Sequence, residues 1–543
     1  MIVRTGTLAA LAGVTTALLL VACGQSPSSG GGAPLSAPSG PPKPAGEITY
    51  VVASFTSEIL DPSQGANVTQ YLGPMYENLF LNWPGTGEAR PFLLESGRMA
   101  EDSLSWTFKL RDGVRFSNGD PMTADDVKFS LDRFRSPEAK SSSSAILRGA
   151  IQDIQVVDPR TVRLNLKSPL LTLPLLLAGD IGNDGIVLPK KYIEQVGWEQ
   201  FGQKPIGSGP YKLKEHRAGE AFIFEAQENH WRATPKFTRV TILKVAEDST
   251  RLAMLRTGQA DMAELGVESR KQVDQSGLKA LVVPYETSWR VPFYGATGSY
   301  SDNPLKKLEV RKALNLSINR TEMVDGLYAG AAEAAAYAHS IPGYSIGAPK
   351  LPVPPYDPAE ARRLLQQGGY PDGFELTLYL PDAGCSKDDS RRFGEVLASY
   401  WAKIGVRTRL VPIDYAIFRP QVRGANLSPQ VIGAASTFCT AGSQIAPRDL
   451  TTFWYGKGEW KLADVADAEI ERMNAAKSQE EMVRWAEAAY KKLYDNYAAI
   501  GVFHGGIVFG ATPKLADIPV TPGFAGAFTT WFIWEKPDNP IFK

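Results

Sequence analysis

The sequence predicts an α/β protein folded as more than one lobe, and three observations carry that expectation. The chain has 543 residues, more than one hydrophobic core organises, so two or three lobes are expected. Between Tyr356 and Leu410 helical and strand periods alternate, the βαβ pattern of a largely parallel sheet with helices on both faces. The stretch Trp106 to Phe134 reads as a strand, a Gly turn, a second short strand, a second Gly turn and a capped helix.

The first 46 residues stand apart from this fold. Arg4 gives a positive start, and Leu8 to Ala22 is an apolar run. A bilayer takes about 20 residues to cross, so the run reads as an export signal and not as a span. Gln25 to Gly46 is almost wholly Ser, Gly, Pro and Ala. Such a segment has little apolar surface to pack, and a flexible tether is expected. Leu170 to Ala178 is the nearest later approach to a span, but it is short and Pro174 interrupts it; it reads as buried core. Lys+Arg and Asp+Glu both number 58. That balance gives no reason to expect nucleic acid or an anionic membrane surface as partner.

Taken in order, Ile48, Tyr50 and Val52 alternate as a first strand. Trp106, Phe108 and Leu110 alternate with Thr107 and Lys109, the period of a half-buried strand. Arg111-Asp112-Gly113 and Ser117 to Pro121 are turn chemistry. Thr123 with Asp126 forms a box-like cap, and Val127, Leu131 and Phe134 share one helical face. Ile154 to Asp158 and Thr161 to Leu166 make a hairpin around Asp158-Pro159-Arg160. Pro205 to Leu213 holds Gly207-Ser208-Gly209-Pro210, which lets the chain turn sharply and pass close to other backbone. A phosphate cradle needs a helix start with Lys-Ser/Thr, and none follows. Asp248 to Asp261 reads as a capped helix with a Gly end.

Around Val282 to Tyr294 the chain crosses to a second large lobe, with Trp289 to Tyr294 as the crossing strand. Val310 to Arg320 is a helix. Asp357 is an N-cap, Pro358 sits at the first helical position, Glu360 supplies the third, and Gly368-Gly369 stop the helix. Phe393, Val396, Leu397, Tyr400, Trp401 and Ile404 mark an amphipathic helix ended by Gly405, and Val406 to Leu410 is the strand after it. Ser478 with Glu481 caps a long helix carrying Met482, Trp485, Ala489 and Leu493. A strand near Val502 to Phe509 returns toward the first lobe.

Several of these segments carry a resemblance. Trp106 to Ser130 resembles, at nearly every fixed position, the signature of solute-binding protein family 5: the oligopeptide, dipeptide and nickel binders that serve ABC importers. Leu60-Asp61-Pro62, the helix end Tyr76-Glu77-Asn78-Leu79, Pro205 to Tyr211, Asn229-His230-Trp231, Gly258 to Asp261 and Val310 to Arg320 resemble further family segments in the family's order. The resemblance spans about Glu47 to Asn539 and implies a type II periplasmic-binding-protein fold. Two α/β lobes would close over a ligand about a hinge, beside a small extra lobe. The implied division is 47–75 with 187–285 and 505–543 as lobe I, 76–186 as the extra lobe, and 286–504 as lobe II. Leu20-Val21-Ala22-Cys23 resembles a lipobox. It implies a lipoprotein signal peptide over 1–22, a lipidated Cys23, and a tether over 23–46. The mature protein would then be exported and lipid-anchored, facing the periplasm or cell exterior, and would touch the membrane through that anchor only. The implied partners are a peptide or other small-molecule ligand and a permease–ATPase complex, with the binder itself a monomer.

Catalytic constellations are missing from the sequence. His216, His230, His339 and His504 are scattered, and no His-Glu-x-x-His or Cys-x-x-Cys pattern occurs. The family resembled is non-catalytic, so neither enzyme activity, cofactor nor metal is expected. Ligands of α/β lobes sit beyond the C-terminal ends of strands. That points to Phe55 to Glu58, Trp289 to Tyr294, Asp382 to Ser386, and Ser436 to Arg448. From these loops the candidates are Phe55, Glu58, Trp289, Tyr294, Ser436, Phe438, Thr440 and Arg448. For Trp289 and Phe438, stacking on a ligand and packing in a core are both open. Peptide-binding relatives commonly place an Asp in the last loop, to meet the peptide's α-amino group. Here no acid occurs before Asp449. The loop offers neutral hydroxyls instead, and Arg448 suits a carboxylate or other anion. A non-peptide such as an opine, sugar conjugate or amino-acid derivative therefore stands beside a peptide held through its backbone. A ligand sensor or holdase-like protein on the same fold is the alternative outside transport. Cys385 and Cys439 form either a disulfide or two separate thiols.

Overall fold

The computed structural model describes residues 44–55, 58–65, 69–83, 88–141, 143–178, 183–232, 234–294, 303–338, 340–341, 345–381, 387–414, 417–418, 434–436, 438–440, 446–454 and 465–515. Cys23, Cys385, His339, the loop 382–386, the lipobox and most of the tether lie outside the described residues.

In chain order the strands are β1 (Glu47–Val52), β2 (Phe80–Trp83), β3 (Glu88–Pro91), β4 (Leu94–Met99), β5 (Ser105–Leu110), β6 (Ile151–Asp158), β7 (Thr161–Leu166), β8 (Tyr211–Arg217) and β9 (Ala221–Ala226). There follow β10 (Arg239–Lys244), β11 (Met262–Leu265), β12 (Lys279–Tyr294), β13 (Ala332–Ala334), β14 (Glu375–Pro381), β15 (Arg407–Ile413), β16 (Ala434–Ser436), β17 (Phe438–Thr440) and β18 (Ala499–Ala511). One large sheet runs β15-β14-β16-β12-β18-β11-β1-β10-β9-β8, with β13 on β18 and β17 on β12. The sheet is mixed, which corrects the expectation of a largely parallel one. Among the described residues its parallel pairing is that of β1 with β10 and β11 and of β14 with β15 and β16. The reason lies in the connections. Helical crossovers give parallel neighbours, whereas the tight turn between β8 and β9 admits only an antiparallel one.

Two large hydrophobic cores divide along this sheet. Tyr50, Phe222, Leu281 and Val283 belong to the first, and Trp289, Val291, Trp401 and Val502 to the second. The boundary falls within the paired strands β12 and β18, which run through both. Their ladder slips between Val283 and Thr287 and again between Trp289 and Arg290. Opposite the first slip stand Gly505 and Gly506. A β-carbon on Gly506 would lie 2.9 Å from the Val283 carbonyl oxygen.

The antiparallel sheet β4-β5-β7-β6 carries the Trp106–Phe134 stretch. Trp106 and Phe108 face the first core, sharing one cluster with Tyr50. The helix Ala124–Phe134 starts as expected: the Asp126 carboxylate accepts from both the N–H and the hydroxyl of Thr123, each at 2.8 Å. Its Val127, Leu131 and Phe134 are buried. The expected second strand there is reduced to a single bridge between Arg115 and Pro121. Tyr76 to Leu79 is not a helix end either, since the helix Thr69–Leu72 stops before it.

The Gly-Ser-Gly-Pro turn does what its composition requires. Gly209 N–H donates to the Met75 carbonyl at 2.8 Å and Tyr211 N–H to Pro74 at 3.0 Å. A β-carbon on Gly207 would sit 2.2 Å from the Met75 oxygen. In the second core, the helix expected over Val310 to Arg320 is two helices, Leu308–Leu316 and Arg320–Tyr328. Asn319 breaks it by capping the second, accepting from Glu322 N–H at 3.2 Å. Arg311 and Arg320 are both buried and bind carbonyls, Arg311 Nε that of Asn496 at 3.0 Å and Arg320 Nε that of Gly501 at 2.9 Å. The caps at Asp357 and Ser478 form, accepting from Glu360 N–H (2.9 Å) and Glu481 N–H (3.1 Å). Leu173, Leu175 and Leu176 are buried, as expected of that run.

Candidate solute-binding cleft

Parallel strands send their C-terminal loops to one edge, so the sheet itself selects where side chains can converge. On the first core that edge follows β1, β10 and β11. Arg251 fixes it. Its guanidinium donates to the carbonyls of Glu264 (2.6 Å), Val245 (2.7 Å) and Ala246 (2.6 Å), and to Asp248 Oδ1 at 2.9 Å. Asp248 in turn accepts from Gly266 N–H at 2.7 Å and from the Ser269 hydroxyl. The loop after β11 is thereby rigid, and it presents Glu268.

On the second core the equivalent edge follows β14 and β16, which pair in parallel with Thr377 opposite Ala434. The helix Lys387–Ala402 begins there and carries Arg392. Arg392 Nη1 lies 3.8 Å from Glu268 Oε1. The two edges therefore face each other across a cleft, and this ion pair spans it. A second flank joins the same halves: Ser103 Oγ donates to the Lys477 carbonyl at 3.1 Å, and Leu171 packs against the second core. Beside that flank is a cavity of about 170 Å³, walled by Leu170, Leu171 and Leu176 on one side and by Pro447, Met473 and Met482 on the other.

Behind the cleft, inside the second core, lies a buried polar group of Arg290, Ser340, Asp449 and Tyr490. Ser340 Oγ donates to Asp449 Oδ2 at 3.3 Å and is hydrogen-bonded to the Tyr490 hydroxyl. Burial pushes the Tyr490 hydroxyl well above its ordinary range, and the Asp449 charge pushes it the same way. The acid that closes the last candidate loop is thus engaged within the protein.

Residues 88–453 match the sequence profile of the bacterial extracellular solute-binding proteins, family 5 (middle). The chain belongs to this family. Among its relatives, a heme-binding protein A from Haemophilus influenzae is 26% identical over 77% of this chain and 79% of its own length. A glutathione-binding protein GsiB from Pectobacterium atrosepticum is 28% identical over 82% of this chain and 85% of its own. The solved structure of a periplasmic binding protein DppA from Helicobacter pylori, in complex with the peptide STSA, superposes with a TM-score of 0.70 at 20% identity. It covers 90% of this chain and 98% of that one. The fold is therefore the lobed α/β fold of periplasmic binding proteins, as the motifs implied.

Within this family 5 chain the predicted site residues fall in different places. Phe55 is buried edge-on against Phe222 at 4.9 Å, in a pile where Phe222 also stacks on Tyr71 and on His216. Glu58 is held by the β8–β9 turn: it accepts from Gly219 N–H at 2.8 Å and lies 2.8 Å from His216 Nε2. Burial raises its carboxyl, but the Gly219 and His216 contacts outweigh that and leave it below the usual range. Trp289 is buried, donates from Nε1 to the Tyr328 hydroxyl at 2.7 Å, and packs on Phe393. Tyr294 is buried against Phe418. Ser436, Phe438 and Thr440 are backbone partners in β16 and β17, and Arg448 lies in the short helix Ala446–Asp449. The side chains of those four, and that of Cys439, are outside the described residues. The cavity wall carries no sequence signal of its own: Leu170, Met473 and Met482 are apolar, as a core position is. Among the described residues no His/Cys/Asp/Glu group could hold a metal ion, and no helix is long and apolar enough to cross a membrane.

Proposed function

We propose that this chain is the extracytoplasmic solute-binding subunit of an ABC importer. It captures a peptide or other small organic solute between its two lobes and hands the closed complex to a membrane permease and its ATPase. The observation that carries this reading is the pair of facing strand edges joined through β12 and β18. A slipped, glycine-faced ladder lets two rigid cores turn against each other. The solute's preference for the closed form drives closure, and no bond is made or broken. In this reading Cys23 carries the lipid anchor, the protein works as a monomer facing the periplasm or cell exterior, and Ser436, Phe438, Thr440 and Arg448 contribute the specificity loop. The names of the relatives, which bind heme, glutathione and a peptide, support an organic solute. The absence of an acid before Asp449 favours one without an exposed α-amino group.

A thermal-shift screen with peptides, glutathione conjugates, opines and sugars tests this. A cognate solute at 100 times its Kd adds roughly 2.7 kcal/mol of stability. Small-angle scattering on the same samples should show compaction. A panel that leaves both signals unchanged removes the reading. Stabilisation by free peptides alone would return the loop's role to backbone contacts.

A further inference from the structure

Protein interiors are close-packed, and voids larger than a water molecule are few. The cavity of about 170 Å³ beside the cleft opens partly to solvent and is large enough to admit a group of several heavy atoms. Its walls come from two parts of the molecule. Leu170 packs on the first core, Leu176 lies with Leu175 in a small cluster that Leu170 also touches, and Leu171, Met473 and Met482 pack with the second core. Turning the cores apart would open it and closing them would seal it.

The chemistry of the wall is one-sided. Among the described residues no charged side chain lines it. Of the polar groups that do, the Thr451 hydroxyl and the Leu170 carbonyl are already engaged, and Thr172 and Asn474 also line it. Thr451 Oγ1 lies 3.0 Å from the Pro447 carbonyl and 2.9 Å from Asn474 Oδ1. The Leu170 carbonyl accepts from Trp106 Nε1 at 3.3 Å. A charged group entering here would lose water and meet no opposite charge among the described residues, which is unfavourable. An apolar group loses nothing, and the two methionines are unbranched and polarizable enough to adapt to its outline. Apolar cavities of roughly 150 Å³ accept benzene.

We propose that this cavity is a selectivity pocket for an uncharged apolar group of the captured solute, the size of an aromatic ring or a branched aliphatic chain. The inference rests on the reading that the solute lies between the two cores, and it adds which part of the solute is read there. The polar parts of the solute would lie toward the edges that carry Glu268 and Arg392.

Methionine-methyl NMR reads the pocket directly, because Met473 and Met482 form its wall. Purified protein labelled with ¹³C at its methionine methyls is titrated with benzene, and in parallel with benzoate and benzylammonium. The expected result is a saturable shift confined to Met473 and Met482, at least tenfold weaker binding of the two charged analogues, and loss of the response in Ala476→Phe, which fills the space. Met473→Leu, which conserves volume, should keep the response at Met482 and guards against a folding artefact. Shifts that do not saturate or that spread over all methionines overturn the pocket, as does equal binding of the charged analogues. Scattering separates this from the cleft reading. A solute with an apolar group that compacts the protein without moving either methyl leaves the cleft and overturns the pocket. A benzene response in a protein that no solute compacts overturns the cleft reading, and with it the pocket's role in selecting a solute.

Discussion

Two acid–arginine pairs in this chain have the same chemistry and opposite surroundings. Glu77 and Arg232 meet at 2.8 Å with side chains 3% exposed on both sides. Trp231 Nε1 donates to the same carboxylate at 2.8 Å, and His230 lies 3.5 Å away while donating to the Ser208 carbonyl at 2.8 Å. Glu268 and Arg392 face each other at 3.8 Å with side chains 64% and 49% exposed. The first pair joins two family segments far apart in sequence within one core. The second spans the cleft. Breaking a buried pair leaves a charge without solvent and costs about 3–5 kcal/mol, whereas an exposed pair contributes about 0–1 kcal/mol. The difference suits a protein that must open. Ties inside a core are strong enough to make it rigid, and ties across the moving boundary are weak enough to break thermally.

The sharpest test removes the buried acid. Glu77→Gln leaves the Arg232 guanidinium buried without its counter-charge, and unfolding stability should fall by about 3–5 kcal/mol in urea melts. A loss below about 1 kcal/mol would show that water reaches this group and would erase the contrast. Next in size is the pH dependence of the same group. Burial pushes the Glu77 carboxyl up, but Arg232, then His230 and Trp231, more than offset that and leave it at about 2. Its folded value lies below its ordinary 4.5, so its contribution is complete above that range and is lost as pH falls toward 2. The amount is roughly 3 kcal/mol. Urea midpoints of wild type measured from pH 6 to pH 2 should fall more steeply than those of Glu77→Gln, the two converging at the acid end.

A smaller effect is expected from the backbone that positions this cluster. Gly207→Ala drives a β-carbon onto the Met75 carbonyl, two residues before Glu77. Displacing that main chain should cost about 1–3 kcal/mol. A double variant with Glu77→Gln should lose less than the sum, because neighbouring sites couple. Strict additivity would mean that the Gly turn and the ion cluster are independent.

What was legible in the sequence was local. Thr123 with Asp126, Asp357 with Glu360, and Ser478 with Glu481 are three residues apart, and each sets a helix start that the structure shows. The close pass at Gly207 and Gly209 was equally open to reading, because only a residue without a β-carbon fits it. Partnerships across long separations were not. Nothing near Glu77 in sequence announces Arg232. Asn319 looks like one more residue of a helix until its side chain is seen capping the next. For the candidate site the sequence offered only loop positions. A loop position says which edge a residue is near, not where its side chain turns, and Glu58 turns to the β8–β9 hairpin. Cavity walls and cores have the same apolar period, so Leu170 and Met482 read as packing.

The smallest predicted effect is the most informative about function. Glu268→Gln should change unfolding stability by less than about 1 kcal/mol, since the pair is exposed and salt-screened. Its consequence belongs to the opening equilibrium, where even about 0.6 kcal/mol is a factor of nearly three. Donor and acceptor dyes placed on the two cores should report a lower closed fraction for the variant at low ionic strength. The gap should close above about 0.5 M salt, where the Debye length is well under 10 Å. Arg392→Gln should give the same shift, and the double variant no more than either alone. If both single variants close as wild type does at every ionic strength, the cleft pair has no part in the equilibrium. Closure would then be governed by the solute and by the apolar flank around Leu171, and the contrast between the two pairs would be one of burial without a mechanical role.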